Sequence, residues 1–147
     1  MATESNKEQK PRILVVDDEE DIRALLVRKF KFLGYEVVEA ENGKVALEKM
    51  NECRFEVVIS DISMPEMTGI ELLEKIKKEY PMTHFIVMTG YVSMENVLAC
   101  MRFGADTCVF KPLEDMKELE DAVQRSVDHL KHWQLKLKSL IKMKPEA

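Results

Sequence analysis

Residues 13–23 read ILVVDDEEDIR. Four apolar residues, 13–16, run directly into five acids, 17–21. An apolar run with no polar alternation, rich in β-branched residues, reads as a strand buried on both faces. Such strands belong to parallel sheets covered by helices on either side. The acids then sit at the strand's carboxyl end. Beyond them Ile22, Leu25, Leu26, Phe30 and Leu33 share one helical face, and Gly34 closes the segment.

The same alternation continues along the chain. Residues 13–16, 35–40, 55–60, 84–88 and 107–110 read as strands, with amphipathic stretches between them. The second stretch follows Asn42-Gly43, the third runs over 69–80 before Pro81, the fourth ends near Gly104, and the last begins after Pro112. Strand–helix alternation implies βαβ crossovers. The expected fold is α/β: a doubly wound five-stranded parallel sheet in the flavodoxin-like order 2-1-3-4-5, with helices on both faces. A chain of 147 residues suits one such domain, expected over 11–128. Residues 1–10 are polar and expected to be disordered, and 129–147 are expected to extend the last helix.

Composition narrows the function. Hydrophobic content of 46% with 33% charged residues is that of an ordinary soluble globular protein. No apolar run is long enough to span a membrane, and MATESNKEQKPR has no signal-peptide core, so a cytoplasmic protein is expected. Cys53, Cys100 and Cys108 match no zinc spacing and read as reduced, mostly buried small hydrophobes. Net charge is −5, yet residues 129–144 carry five lysines and no acid, so the remainder is more acidic than the total suggests. Direct nucleic-acid binding by so acidic a body is not expected.

In an open parallel sheet, ligands bind outside the carboxyl ends of the strands. Asp17 and Asp18 end the first strand, Asp61 the third, Thr89 the fourth and Lys111 the fifth. Converging carboxylates repel unless a cation joins them, and magnesium prefers oxygen ligands. A hydroxyl and an ammonium can bind phosphoryl oxygens. Together the set describes phosphoryl transfer onto an aspartate. Singly, each residue has an ordinary explanation: Asp18 as an N-cap, Asp61 as a turn residue, Lys111 before Pro112 as an edge-strand end. Glu19, Glu20 and Asp21 read as first-turn acids favouring the helix dipole. Met64, Met67, Met82, Met88, Met94 and Met101 read as core or loop filler, and His84 as a satisfied structural residue.

The stretches ILVVDDEE, VVISDISMPEMTGIELL, IVMTG and GADTCVFKP, in this order, resemble the receiver domain of bacterial two-component response regulators. That resemblance implies a phosphoprotein of signal transduction, a switch rather than an enzyme with its own substrate. Asp61 would take a phosphoryl group from a sensor histidine kinase or phosphotransfer protein. Asp18 would ligate Mg²⁺, Asp17 would hold it through water, and Ser63 would offer a backbone carbonyl. Thr89 and Lys111 would bind phosphoryl oxygens, and the Lys111-Pro112 bond would be cis. Two other readings compete. A magnesium-dependent phosphohydrolase would need a second acid two residues after Asp61, where Ser63 stands. A receiver-shaped module that takes no phosphate sits poorly with the full residue set.

Two features stand apart. Leu119, Val123, Ser126, Leu130, Trp133, Leu137 and Leu140 follow heptad spacing. The first half should pack on the sheet, while Leu130, Trp133, Leu137 and Leu140 should be exposed and suit a homodimer through the C-terminal helix. No effector module is expected after 128, so the chain reads as a stand-alone receiver or part of a longer regulator. Second, Cys108 stands where the resemblance implies Tyr or Phe, a switch position. Cys108 reads first as an inert core thiol, with signalling through the Thr89 loop alone. The alternative is that Tyr91 or Phe110 fills the space beside it, and either way the switch is centred on Thr89, Tyr91 and the fourth helix.

Overall fold

The computed structural model describes residues 10–91, 93–111 and 116–143. Ten elements alternate: β1 (Arg12–Val16), α1 (Glu20–Phe32), β2 (Glu36–Ala40), α2 (Gly43–Glu52), β3 (Val57–Asp61), α3 (Gly69–Glu79), β4 (His84–Thr89), α4 (Met94–Arg102), β5 (Thr107–Phe110) and α5 (Lys117–Lys142). The sheet is parallel throughout and ordered β2-β1-β3-β4-β5. Strand order reverses between β1 and β3, which pair with Val16 opposite Ser60. The expected fold and order are therefore the observed ones.

Strand parity sorts the core into two layers. Leu14, Val16, Val58, Phe85 and Val87 face α2, α3 and α4, where they meet Met50, Leu72, Leu73, Ile76 and Cys100. Ile13, Val15, Val57, Ile59, Ile86 and Met88 face α1 and α5, where they meet Leu26, Phe30, Leu119, Val123 and Val127. Both faces of the central strands are thus covered, which is why their sequences are apolar without alternation. Asn42, Thr68 and Ser93 cap α2, α3 and α4 through their side-chain oxygens. Gly34, at φ +97°, supplies the left-handed turn that releases the chain from α1 into β2.

Several expectations need correction. Leu25 and Leu33 lie on the exposed flank of α1, which buries only Leu26 and Phe30. A helix on a flat sheet buries a narrower stripe than the apolar pattern offered. Met64 and Met88 are core residues, but Met82, Met94 and Met101 are exposed. Cys100 is buried, whereas Cys53 and Cys108 are only half-buried, and all three are free thiols. Leu130, expected on the exposed stripe, is 4% exposed, while Trp133 is 49% exposed. The body thus covers one helical turn more of α5 than expected. Residues 1–9 and Pro112 lie outside the described residues. No described helix is long and apolar enough to cross a membrane.

The end of the packed body gives a direct test. Leu130→Ala should lower the unfolding free energy by about 2–3 kcal/mol, as truncation of a buried leucine does. Leu137→Ala and Leu140→Ala should stay within about 0.5 kcal/mol in dilute protein. Urea unfolding of the three variants measures this, and equal losses would place Leu130 outside the body.

Candidate functional site

The carboxyl edge of the sheet gathers the polar residues. Asp17 directly follows β1, Asp61 ends β3, Thr89 ends β4 and Lys111 directly follows β5. Asp17 is fully buried and Asp61 is 4% exposed, whereas Asp18, Glu19 and Ser63 are exposed. The Lys111 ammonium lies 3.0 Å from Asp17 Oδ2 and 3.0 Å from Asp61 Oδ2, so one cation bridges two buried carboxylates. Lys111 is itself positioned by its backbone, whose N–H donates to the Thr89 carbonyl at 2.8 Å.

Asp17 is held at both oxygens. Oδ1 accepts the Glu19 N–H at 2.9 Å, which satisfies one of the free donors at the start of α1, and Oδ2 faces Lys111. Arg23 donates to the Asp17 carbonyl and pairs with Glu39, fixing the turn between β1 and α1. Burial pushes the Asp17 carboxyl above its ordinary value, and the Glu19 N–H and Lys111 only partly offset this. Burial alone would lower the Lys111 ammonium, but its bonds to Asp17 and Asp61 raise it.

The loop after β3 is shaped by Gly69. Its N–H donates to the Ile62 carbonyl at 2.8 Å, and a Cβ there would run into the Asp61 main-chain carbonyl oxygen. Only glycine lets α3 begin so close to the strand end that carries Asp61. Asp61 Oδ1 also meets the Ser63 N–H at a long 3.4 Å.

Asp17, Asp18, Glu19 and Asp61 can each offer a carboxylate oxygen, all within 4.8 Å of one another. Hard oxygen donors in this number, with only one ammonium among them, fit a divalent cation of the magnesium type. Glu19, read from sequence as a helix-dipole acid, belongs to this cluster and lies 3.7 Å from Lys111. Its signal was present, as the third acid after β1, but the dipole explanation absorbed it.

Thr89 shares its hydroxyl with the following loop. Oγ1 accepts the Tyr91 N–H at 3.1 Å and donates to the Tyr91 carbonyl at 3.2 Å. Tyr91 is 66% exposed and Phe110 is also exposed, so neither fills the space beside Cys108. Cys108 packs instead in the α2–α4 layer beside Cys100, as an inert core thiol does. Burial, with the neighbouring Cys100, pushes the Cys108 thiol up to about 11, which leaves it unreactive at neutral pH.

With this geometry in place, the chain was compared with known proteins. Residues 13–124 match the response regulator receiver domain family. The chain is similar to the regulatory protein AtoC of Escherichia coli (strain K12), at 40% identity over 79% of this chain and 25% of that protein. It is also similar to the sporulation initiation phosphotransferase F of Bacillus subtilis (strain 168), at 36% identity over 78% of this chain and 91% of that one. Among solved structures, it resembles the response regulator protein TrrA of Thermotoga maritima in complex with Mg²⁺ and BeF, with 37% identity, 79% and 98% coverage and a TM-score of 0.72. The chain thus spans about a quarter of the length of the first of these relatives and most of the second.

The lysine bridge predicts a pH signature. An acid whose pKa is raised in the fold destabilises it once ionised, so Asp17 costs stability as pH rises above the carboxylate range. Lys111→Met should therefore lose about 1–3 kcal/mol at pH 7, where two buried carboxylates are left without their cation. The gap to the unmodified protein should narrow toward pH 4 as carboxyl groups protonate. Denaturant unfolding at both pH values measures it, and a pH-independent loss would remove the charge argument.

Proposed function

Because the chain belongs to the response regulator receiver domain family, we propose that it is a cytoplasmic phosphoacceptor switch, with Asp61 taking a phosphoryl group from a histidine kinase or phosphotransfer protein. The observation that carries this reading is the buried Asp61 carboxylate, 3.0 Å from the Lys111 ammonium and surrounded by further carboxylates. In the step, an Asp61 oxygen forms a bond to phosphorus as the donor's bond to phosphorus breaks, and the donor leaves with that electron pair. Lys111 and Thr89 bind the phosphoryl oxygens and balance the charge that develops on them.

Asp17, Asp18 and Asp61, with the Ser63 carbonyl, would hold Mg²⁺, which when bound neutralises charge between the carboxylates and the phosphoryl oxygens. Thr89 has one hydroxyl proton, now given to the Tyr91 carbonyl. Donating it to a phosphoryl oxygen removes that bond, so the loop at Tyr91 must rearrange, and this is the start of the switch. Neither Ser63 nor Tyr91 is a strong general base, and the tyrosine ring can occlude water, which favours slow self-dephosphorylation.

Acetyl phosphate with Mg²⁺ should add the mass of one phosphoryl group to the protein, and Asp61→Asn should abolish the gain. Mg²⁺ alone should raise the melting temperature, because it binds the folded carboxylate cluster. Phosphorylation that persists in Asp61→Asn would sink the assignment.

The exposed stripe of Trp133, Leu137 and Leu140 on α5 wants a partner, and a second copy of this chain is the simplest. The stretch is short, so a dimer would need further contacts from the receiver surface. A link to an output domain competes with this reading. The informative truncation falls after Gln134, since Leu130 belongs to the core. Sedimentation should show loss of dimer in that truncation, and an unchanged mass would remove the tail from the interface.

A further inference from the structure

The amino edge of the sheet, opposite the carboxylates, holds a second polar cluster. His84 opens β4, Asp106 immediately precedes β5, and His129 and Trp133 project from α5. His84, Asp106, Thr107, Arg125, Ser126 and His129 line a cavity of about 320 Å³ between sheet and helix. Four side chains here are linked in series. Asp106 Oδ1 lies 2.7 Å from His84 Nδ1, His84 Nε2 lies 3.3 Å from His129 Nδ1, and Trp133 Nε1 donates to His129 Nε2 at 3.2 Å.

Every proton in this series is determined by the end group. An indole N–H can only donate, so His129 Nε2 must be the bare nitrogen. A neutral His129 then carries its proton on Nδ1 and donates it to His84 Nε2. His84 in turn carries its proton on Nδ1 and donates to Asp106. The Asp106 carboxylate also accepts the Phe85 N–H at 2.8 Å. Burial would raise that carboxyl, but its bond to His84 holds it below the ordinary value, so it remains an acceptor in mild acid. A metal ion between the two rings would need both facing nitrogens bare, which the Trp133 donor forbids at His129.

We propose that this series is a proton-sensitive latch: one proton taken up by the histidine pair breaks either the His84–His129 link that ties β4 to α5 or the Trp133–His129 link at the base of the α5 extension. A proton on His129 Nε2 removes the Trp133 acceptor directly. On His84 Nε2 it faces the His129 Nδ1–H, so either the two rings part or the His129 proton shifts to Nε2 and displaces the indole. No arrangement keeps all three links with one more proton. Histidine is the side chain whose charge changes between about pH 5 and 8, so mild acid is the trigger. The charged and titratable groups around the series are Asp106 before β5, Lys77 on α3, and Arg125 and His132 on α5.

Trp133 is the only tryptophan, so its signals report the latch alone. In the full chain at pH 8, nitrogen NMR should find both His84 and His129 as neutral Nδ1–H tautomers. Between pH 8 and 5 the indole N–H signal should shift in a one-proton transition. Its exchange with water, corrected for pH, should quicken by about fivefold, as loss of one hydrogen bond implies. His129→Gln should abolish the transition, and His84→Gln should move its midpoint, because His129 can still take the proton at Nε2. His132→Gln should leave it, although that ring lies 5.8 Å from Trp133. An Nε2–H tautomer on either ring at pH 8 would overturn the proposal. So would a transition that survives His129→Gln, one whose midpoint His84→Gln leaves unmoved, or one that only His132→Gln removes. Should the variants fail to fold, the tautomers of the unmodified chain decide the question.

Discussion

One ammonium holds the carboxyl edge together. The parallel sheet brings Asp17 and Asp61 to the same edge because β1 and β3 run side by side in register. Two buried carboxylates there would repel, and neither can turn out to water while the core on both faces stays packed. Lys111 resolves this from the end of β5, reaching across β4 to both. The bridge is therefore a structural necessity before it is a functional one. It also means that the proposed phosphoryl group, or a cation, would compete with Lys111 for the oxygens of Asp17 and Asp61.

The rest of the edge follows from that constraint. Asp17 can face Lys111 only because the first turn of α1 supplies an N–H to its other oxygen. Asp61 can sit at the end of β3 only because Gly69 lets α3 start against its carbonyl. Thr89 stands ready with a single proton, committed to the Tyr91 carbonyl. These are positional demands, and each is met by a backbone feature rather than by another charge.

β4 and α5 connect this edge to the other. β4 carries Thr89 at its carboxyl end and His84 at its amino end, with four fully buried residues between them. α5 crosses the sheet and leaves the body at the amino edge, where His129 meets His84 and Trp133 meets His129. The proposed phosphoryl chemistry and the proposed latch thus lie at opposite ends of one rigid strand. Their inputs differ: a covalent charge at one end and a proton at the other.

The sequence alone determined the fold class and placed Asp17, Asp18, Asp61, Thr89 and Lys111 at one sheet edge, because strand ends fall where apolar runs stop and the polar residues sit at those ends. It also located α5 and its exposed half. Tertiary structure decided what depends on distance between remote segments. Leu130 is buried because the body extends one turn further than heptad spacing could reveal. Glu19 joins the carboxylates because α1 starts one residue later and leaves it in the turn. His84, His129 and Trp133 looked unrelated in a linear reading, since the contact that joins them spans 45 residues and exists only once α5 lies across the sheet. Periodicity records which face a residue occupies. Which residue it meets there is decided by packing between elements, and that information is not local.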